Sequence, residues 1–182
     1  MIWTEENRRE VYRSKVLAVR DTDCRSPEGT LRTFTVIDCA DWVIVVPILE
    51  SADGRQFLMV RQWRHGSREL SLEFPGGVIE SGESPEAGAA RELEEETAYR
   101  AGKLTKLGTM GPNPAIMSNH VHYYLAENLT PLPRQNLDED EFVDAELISE
   151  HEVLSGMGKP PLVHALTAAA LGLYLAAEAV RS

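Results

Sequence analysis

Apolar and polar residues alternate weakly over residues 11–36, and the alternation breaks at Ser26-Pro27-Glu28-Gly29, a run of turn formers. The pattern predicts a hairpin in an N-terminal extension. Two apolar, β-branched runs follow, 43–49 and 56–60, separated by Asp53-Gly54, and predict core strands joined by a tight turn. After a polar stretch, residues 70–74 read as a short strand that stops at Pro75-Gly76-Gly77, where two glycines permit backbone angles closed to other residues. Ser84-Pro85-Glu86 has the order of a helix start, with Ser as cap, Pro at the first position and an acid in the first turn, so a helix is predicted from Pro85 to about Thr97. Strands are predicted over 104–110 and 121–126, with Gly111-Pro112-Asn113-Pro114 as a loop between them. A last strand is predicted at 142–148, after the acidic segment 138–141.

Residues 162–180 are the most apolar stretch, about long enough to cross a bilayer. Its alanines, its interruption by His164 and Thr167, and its end at Glu178 and Arg181 predict a packing helix instead, opened by Pro160 and Pro161. Strands with two principal helices and no regular βαβ alternation predict a mixed-sheet α/β protein with helices on its faces.

Composition narrows the function. At 182 residues, 43% hydrophobic and 26% charged, the chain suits one domain with a substantial core plus the extension. A net charge of -11 speaks against general nucleic-acid binding, which needs clustered cations to displace counterions. A phosphorylated small molecule remains open if a divalent metal supplies the positive charge. Cys24 and Cys39 have no C-x-x-C spacing and no leader-type segment ahead of them, so a reduced, cytoplasmic protein without membrane attachment is expected.

Chemistry concentrates on the predicted helix. Glu92, Glu95 and Glu96 are three and four residues apart, which puts their carboxylates on one side and within reach of each other. An isolated acidic string of this kind is usually a solvated helix face. Here a Gly-rich turn precedes it, and Arg91 lies beside the acids with a fork able to fix a carboxylate. Mg²⁺ suits such a site, since it prefers oxygen ligands and bridges carboxylates to substrate phosphates.

Residues 77–99, GVIESGESPEAGAARELEEETAY, resemble the Nudix box G-x5-E-x7-R-E-U-x-E-E-x-G-U, where U is aliphatic or bulky. Gly77, Glu83, Arg91, Glu92, Leu93, Glu95 and Glu96 all fall in register; Ala98 replaces the usual glycine. That glycine lets the helix leave in a left-handed conformation, which costs alanine about 1 kcal/mol. The resemblance implies an α/β/α sandwich in which the box is a loop-helix-loop, with residues 1–40 as a β extension and 41–182 as the hydrolase domain. It implies Mg²⁺ or Mn²⁺ held by Glu92, Glu95, Glu96 and the Gly76 carbonyl, with Glu95 also counted as catalytic. Gly77, Glu83 and Arg91 would hold the loop and helix together.

Upstream, residues 58–77, LMVRQWRHGSRELSLEFPGG, resemble the stretch before the box in ADP-ribose and ADP-sugar pyrophosphatases. By that resemblance Arg64 contacts substrate phosphate, and Glu73 supports the metal shell or the turn. Arg61 is either a substrate contact or a surface strand residue. Pro114 sits where that subgroup has a proline, although Ala115 and Asn119 differ from the glycine and acid often found there; Asn119 is kept as a substrate-loop candidate. The acidic run Asp138-Glu139-Asp140-Glu141 resembles the loop that brings a catalytic base, Glu141 or Glu139, unless it is merely solvated. Relatives dimerise through an N-terminal sheet and stack an aromatic on the base, which makes Phe34 and Trp42 candidates for stacking or for the core. His120 and His122 face one side of a predicted strand without a third ligand nearby, so they are set aside. The expected activity is cleavage of a nucleoside diphosphate sugar by a homodimer. A nucleoside triphosphate or dinucleoside polyphosphate substrate, or a non-catalytic nucleotide sensor, stand as alternatives.

Overall fold

The computed structural model describes residues 1–52, 54–137, 139 and 141–181. The chain forms two compact units: Met1–Asp41 with Met110–Val121, and Trp42–Thr109 with His122–Ser182.

The first unit is built on a three-stranded antiparallel sheet, β1 (Thr4–Arg13), β2 (Leu17–Arg25) and β3 (Leu31–Cys39), in that order. The expected hairpin is present as β2 and β3. β1 adds a strand that begins well before residue 11, and the sequence hides it because TEENRREVYR is exposed throughout and has no apolar face to alternate. Charge pairs hold it instead: Arg9 with Asp21 and Asp23, and Glu6 with Arg25. The segment around Met117 joins this unit through a parallel bridge to Ile37, and Ser118 Oγ donates to Asp38 at 2.6 Å.

The second unit contains β4 (Trp42–Ser51), β5 (Gly54–Arg64), β6 (Glu69–Glu73), α1 (Pro85–Thr97), β7 (Tyr99–Arg100), β8 (Lys103–Met110), β9 (Val121–Glu127), β10 (Thr130–Pro131), β11 (Val143–Ser149), α2 (Glu150–Gly156) and α3 (Ala165–Arg181). The main sheet runs β11-β5-β4-β9-β8, with β6 also on β5; β7 and β10 form a small separate pair. One edge of β5 is shared. Its residues 54–57 pair with β4, whereas residues 60–64 pair with β6, and β11 lies along the opposite edge. β5 therefore runs on through residues 61–64, RQWR, which the apolar pattern leaves out, because β6 pairs with all four and β11 with Arg61 and Gln62.

Helix α1 packs Ala89 and Leu93 on Val43 and Val45 of β4 and on Tyr124 and Ala126 of β9. Elsewhere in this unit Phe57 takes Phe74 and Tyr174 of α3 edge-on, each with ring centroids 5.3 Å apart. Helices covering a mixed sheet make this the expected α/β fold. Two helix boundaries differ from expectation. α2 is an additional helix, and it starts with a capping box in which Ser149 and Glu152 serve each other's backbone N–H groups. α3 starts at Ala165, and the prolines thought to open it lie before it, joined by a cis peptide, with the Pro161 carbonyl accepting from Leu72 N at 3.0 Å. Among the described residues no helix is long and apolar enough to cross a membrane.

Candidate active site

The turn after β6 is fixed on two sides. Its Pro75 and Gly77 carbonyls accept from Val45 and Val43 of β4, both at 2.9 Å, while the Gly76 N–H donates to Glu96 Oε2 at 2.8 Å. Only glycine fits at position 76: a Cβ there would stand 2.2 Å from the Val43 carbonyl oxygen. A Cβ at Gly77 would stand 2.5 Å from Glu92 Oε1, so this glycine keeps room for an acid rather than for backbone.

α1 forms as expected. Ser84 caps it by accepting from Ala87 N at 3.2 Å, Pro85 opens it, and Ala98 ends it in the left-handed region at φ 56°. Its buried stripe is Gly88, Ala89, Glu92, Leu93, Glu96 and Thr97. The four-residue repeat that packs Ala89 and Leu93 into the core thus carries Glu92 and Glu96 inward beside them, 8% and 3% exposed. Glu95 lies outside the stripe and pairs with Arg91 at 2.9 Å.

Arg91 organises the rest of the box. Its guanidinium reaches Glu83 at 3.0 Å, Glu92 and Glu95 at 2.9 Å, and the Val78 carbonyl at 3.0 Å, which ties loop to helix. The Arg91 fork holds the Glu83 carboxyl below its ordinary range. One guanidinium does not neutralise the buried acids. Burial pushes Glu92 up to about 7, against the pull of Arg91 and with the push of Glu95 and Glu141. Burial pushes Glu96 up to about 8, opposed by the Gly76 N–H and reinforced by Glu92 and Glu141. Glu141 is therefore near enough to act on both acids, and it is exposed, as Glu139 is. Asp138 and Asp140 lie outside the described residues.

A second charged group stands next to this one. Glu73, 2% exposed, receives both arms of the Arg64 fork at 2.8 and 2.6 Å, and His164 Nδ1 lies 3.1 Å from its Oε2. Burial alone would raise Glu73; Arg64 and His164 outweigh it and hold the carboxyl below its ordinary value. Burial lowers His164 against the pull of Glu73, and its Nδ1 also lies 3.4 Å from Thr167 Oγ1. Arg64 feels the charge of Glu96 as well. Glu73 thus supports the arginine directly, and His164 is a member of the group that sequence reasoning missed, since it comes from the far end of the chain. Arg61 is committed to Glu146 across the strands at 2.7 Å. A cavity of about 330 Å³ opens beside the acids, lined by Arg91, Glu94, Glu95, Leu132, Arg134 and Asn136.

The NUDIX domain profile matches residues 41–168. The chain belongs to the Nudix family. It is 32% identical over 174 residues to an ADP-ribose pyrophosphatase of Bacillus subtilis (strain 168), covering 95% of this chain and 92% of that protein. It is 27% identical over 173 residues to a methanol dehydrogenase activator of Bacillus methanolicus, covering 94% and 92%. Among solved structures, an ADP compounds hydrolase superposes with a TM-score of 0.83 at 25% identity, covering 100% of this chain and 95% of that one.

Nudix hydrolases generally need a divalent metal. Among the described residues no three ligand-type side chains converge into a ready cage, because Arg91 draws Glu95 aside. The donor set nevertheless fits a hard cation: all oxygen, two carboxylates held out of water, and raised proton affinities that an added positive charge would reverse. The remaining candidates of this Nudix chain lie as follows. Trp42 is half-buried at the start of β4 and bridges Val78. Phe34 is exposed on β3, with Trp3 edge-on at 5.2 Å, an aromatic partner that sequence reasoning did not single out. Asn119, placed among the substrate contacts by sequence, is 3% exposed, and its Nδ2 donates to the Ala40 carbonyl at 3.1 Å, so it works as a loop anchor.

Proposed function

We propose that this Nudix hydrolase cleaves the pyrophosphate bond of ADP-ribose or another nucleoside diphosphate sugar, giving a nucleoside monophosphate and a sugar phosphate. The observation that carries the reading is the buried Glu92–Glu96 pair beside the Arg64–Glu73 fork, which sets anionic ligands for a cation next to a cation for a phosphate. The names of relatives, an ADP-ribose pyrophosphatase and an ADP-sugar pyrophosphatase among them, support this substrate class.

Glu92, Glu95, Glu96 and the Gly76 carbonyl would hold Mg²⁺ or Mn²⁺, which supplies charge neutralisation at the phosphates and a more acidic water. Arg64, held in orientation by Glu73, binds a phosphate oxygen. Glu141, or Glu139 in its place, accepts the proton of the attacking water, since a base must come within hydrogen-bond reach of it. Glu83 and Arg91 keep helix and loop in register throughout.

We also read the chain as a homodimer in a reducing, cytoplasmic setting. Trp3, Val11, Tyr12, Leu31 and Phe34 leave an exposed apolar surface on the first unit, and both cysteines are free. Light scattering gives the mass in solution; a monomer at micromolar concentration would overturn the assembly.

The enzymatic test uses wild type and Glu96→Gln on ADP-ribose, ADP-glucose, GDP-mannose, UDP-glucose, a deoxynucleoside triphosphate and a diadenosine polyphosphate, with Mg²⁺ or Mn²⁺, products being resolved by chromatography. The expected result is cleavage of a diphosphate sugar, with a loss on the order of 100-fold or more in the variant. Preference for triphosphates would overturn the substrate class. Binding without turnover would favour a nucleotide sensor.

A further inference from the structure

The last turn of a helix leaves carbonyls with no donor inside the helix. In α1 those of Glu95 and Glu96 are taken by one short segment: the Asn136 N–H donates to the Glu95 carbonyl at 3.1 Å, and the Gln135 side-chain Nε2 donates to that of Glu96. The same nitrogen lies 3.3 Å from the carbonyl oxygen of Val143, the first residue of β11. A primary amide carries two N–H groups, so one Gln135 side chain serves both carbonyls at once. Just upstream, the Leu132 N–H donates to the Ala98 carbonyl at 2.7 Å, which keeps the approach of this segment against the end of the helix. Gln135 is half-buried, and Val143 is buried and paired with Gln62 of β5, so both ends of the clasp rest on fixed structure.

Glu139 and Glu141 lie in the stretch that leaves Asn136 and returns at Val143. We propose that Gln135 is a positioning residue: by holding the Glu96 and Val143 carbonyls together, it sets the distance between the acids of α1 and the acidic stretch that carries the base. This rests on the hydrolase reading above. The effect of Gln135 passes through backbone, by way of the Glu96 and Val143 carbonyls. Without the clasp, Asn136 and Val143 keep their own backbone bonds but lose the link between them. The base then samples positions out of reach of the water, while Glu92, Glu95 and Glu96 stay on their helix.

Three variants test this in the full chain. Gln135→Leu keeps the bulk and removes both donors; Gln135→Glu keeps the shape and sets a negative charge against two carbonyls; Gln135→Lys restores donors on a different side chain. With the substrate that wild type turns over best, Gln135→Leu and Gln135→Glu are expected to lose kcat on the order of 100-fold, the scale of a 1 Å misplacement. KM and calorimetric Mn²⁺ binding should stay at wild-type values, the thermal midpoint should fall only as far as two lost hydrogen bonds require, and Gln135→Lys should recover part of kcat. A glutamate-specific protease should cut after Glu139 or Glu141 faster in the two defective variants. Unchanged kcat and unchanged cutting would overturn the proposal. So would a fall of Mn²⁺ binding in step with kcat, which would mean a general support of the helix. If wild type turns over nothing, the hydrolase reading fails separately, and the cutting rates still decide whether Gln135 ties the two ends.

Discussion

Glu92 and Glu96 are carboxyl groups whose surroundings disfavour their charged form, so protons and a divalent cation compete for them. Their folded values, about 7 and about 8, lie above those of an unfolded chain. The stability contributed by their protonation is complete below the unfolded value and is lost as pH rises through about 8. Added Mn²⁺ should therefore raise the thermal midpoint more at pH 8.5 than at pH 6, measured against chelator at each pH; an equal or smaller rise at pH 8.5 would contradict the assignment. At Glu73 the logic is reversed, because Arg64 and His164 hold it ionised. Glu73→Gln should cost about 1.5–3 kcal/mol in denaturant unfolding and raise KM for the sugar nucleotide, since Arg64 loses its support. Arg64 and Glu73 are legible in the chain as candidates, but neither their pairing nor the part of His164 is. Arg64 and Glu73 stand nine residues apart on neighbouring strands, and His164 comes from just before the last helix, so only the fold brings them together.

Among the elements, α1 reads off the sequence almost residue by residue. Cap, proline, box and left-handed end all follow from side-chain chemistry within one helix length. β1 does not, because its stabilising contacts are ion pairs that produce no apolar alternation. α2 was within reach through the spacing of Ser149 and Glu152, but a seven-residue helix offers too little periodicity to stand out. The two glycines before α1 separate packing from chemistry. Gly76→Ala drives a Cβ into backbone and should cost about 1–3 kcal/mol along with activity. Gly77→Ala meets only the flexible end of Glu92, so melting should change little while turnover falls. Leu93→Ala empties the core under the helix and should cost about 2–5 kcal/mol in the same unfolding experiment.

For the whole molecule, the two units rest on different forces. The second is closed by apolar layers on the main sheet, the first largely by exposed charge pairs around β1, which salt screens. Amide exchange along β1 should accelerate between low salt and about 1 M salt, where the screening length falls to about 3 Å, while the amides of β5 hold. Equal response of both strands would show that charge does not hold β1. The shared edge of β5 has one more outcome. Where β4 parts from β5, the free edge of its first half is taken up by residues 75–77, so this turn is inserted like a tenon between two diverging strands. Its length is then set by joinery: one residue added between Phe74 and Gly77 would shift both backbone bonds to β4 and carry Gly76 away from Glu96, whereas the same addition in the turn at 65–68 would only lengthen a surface bend.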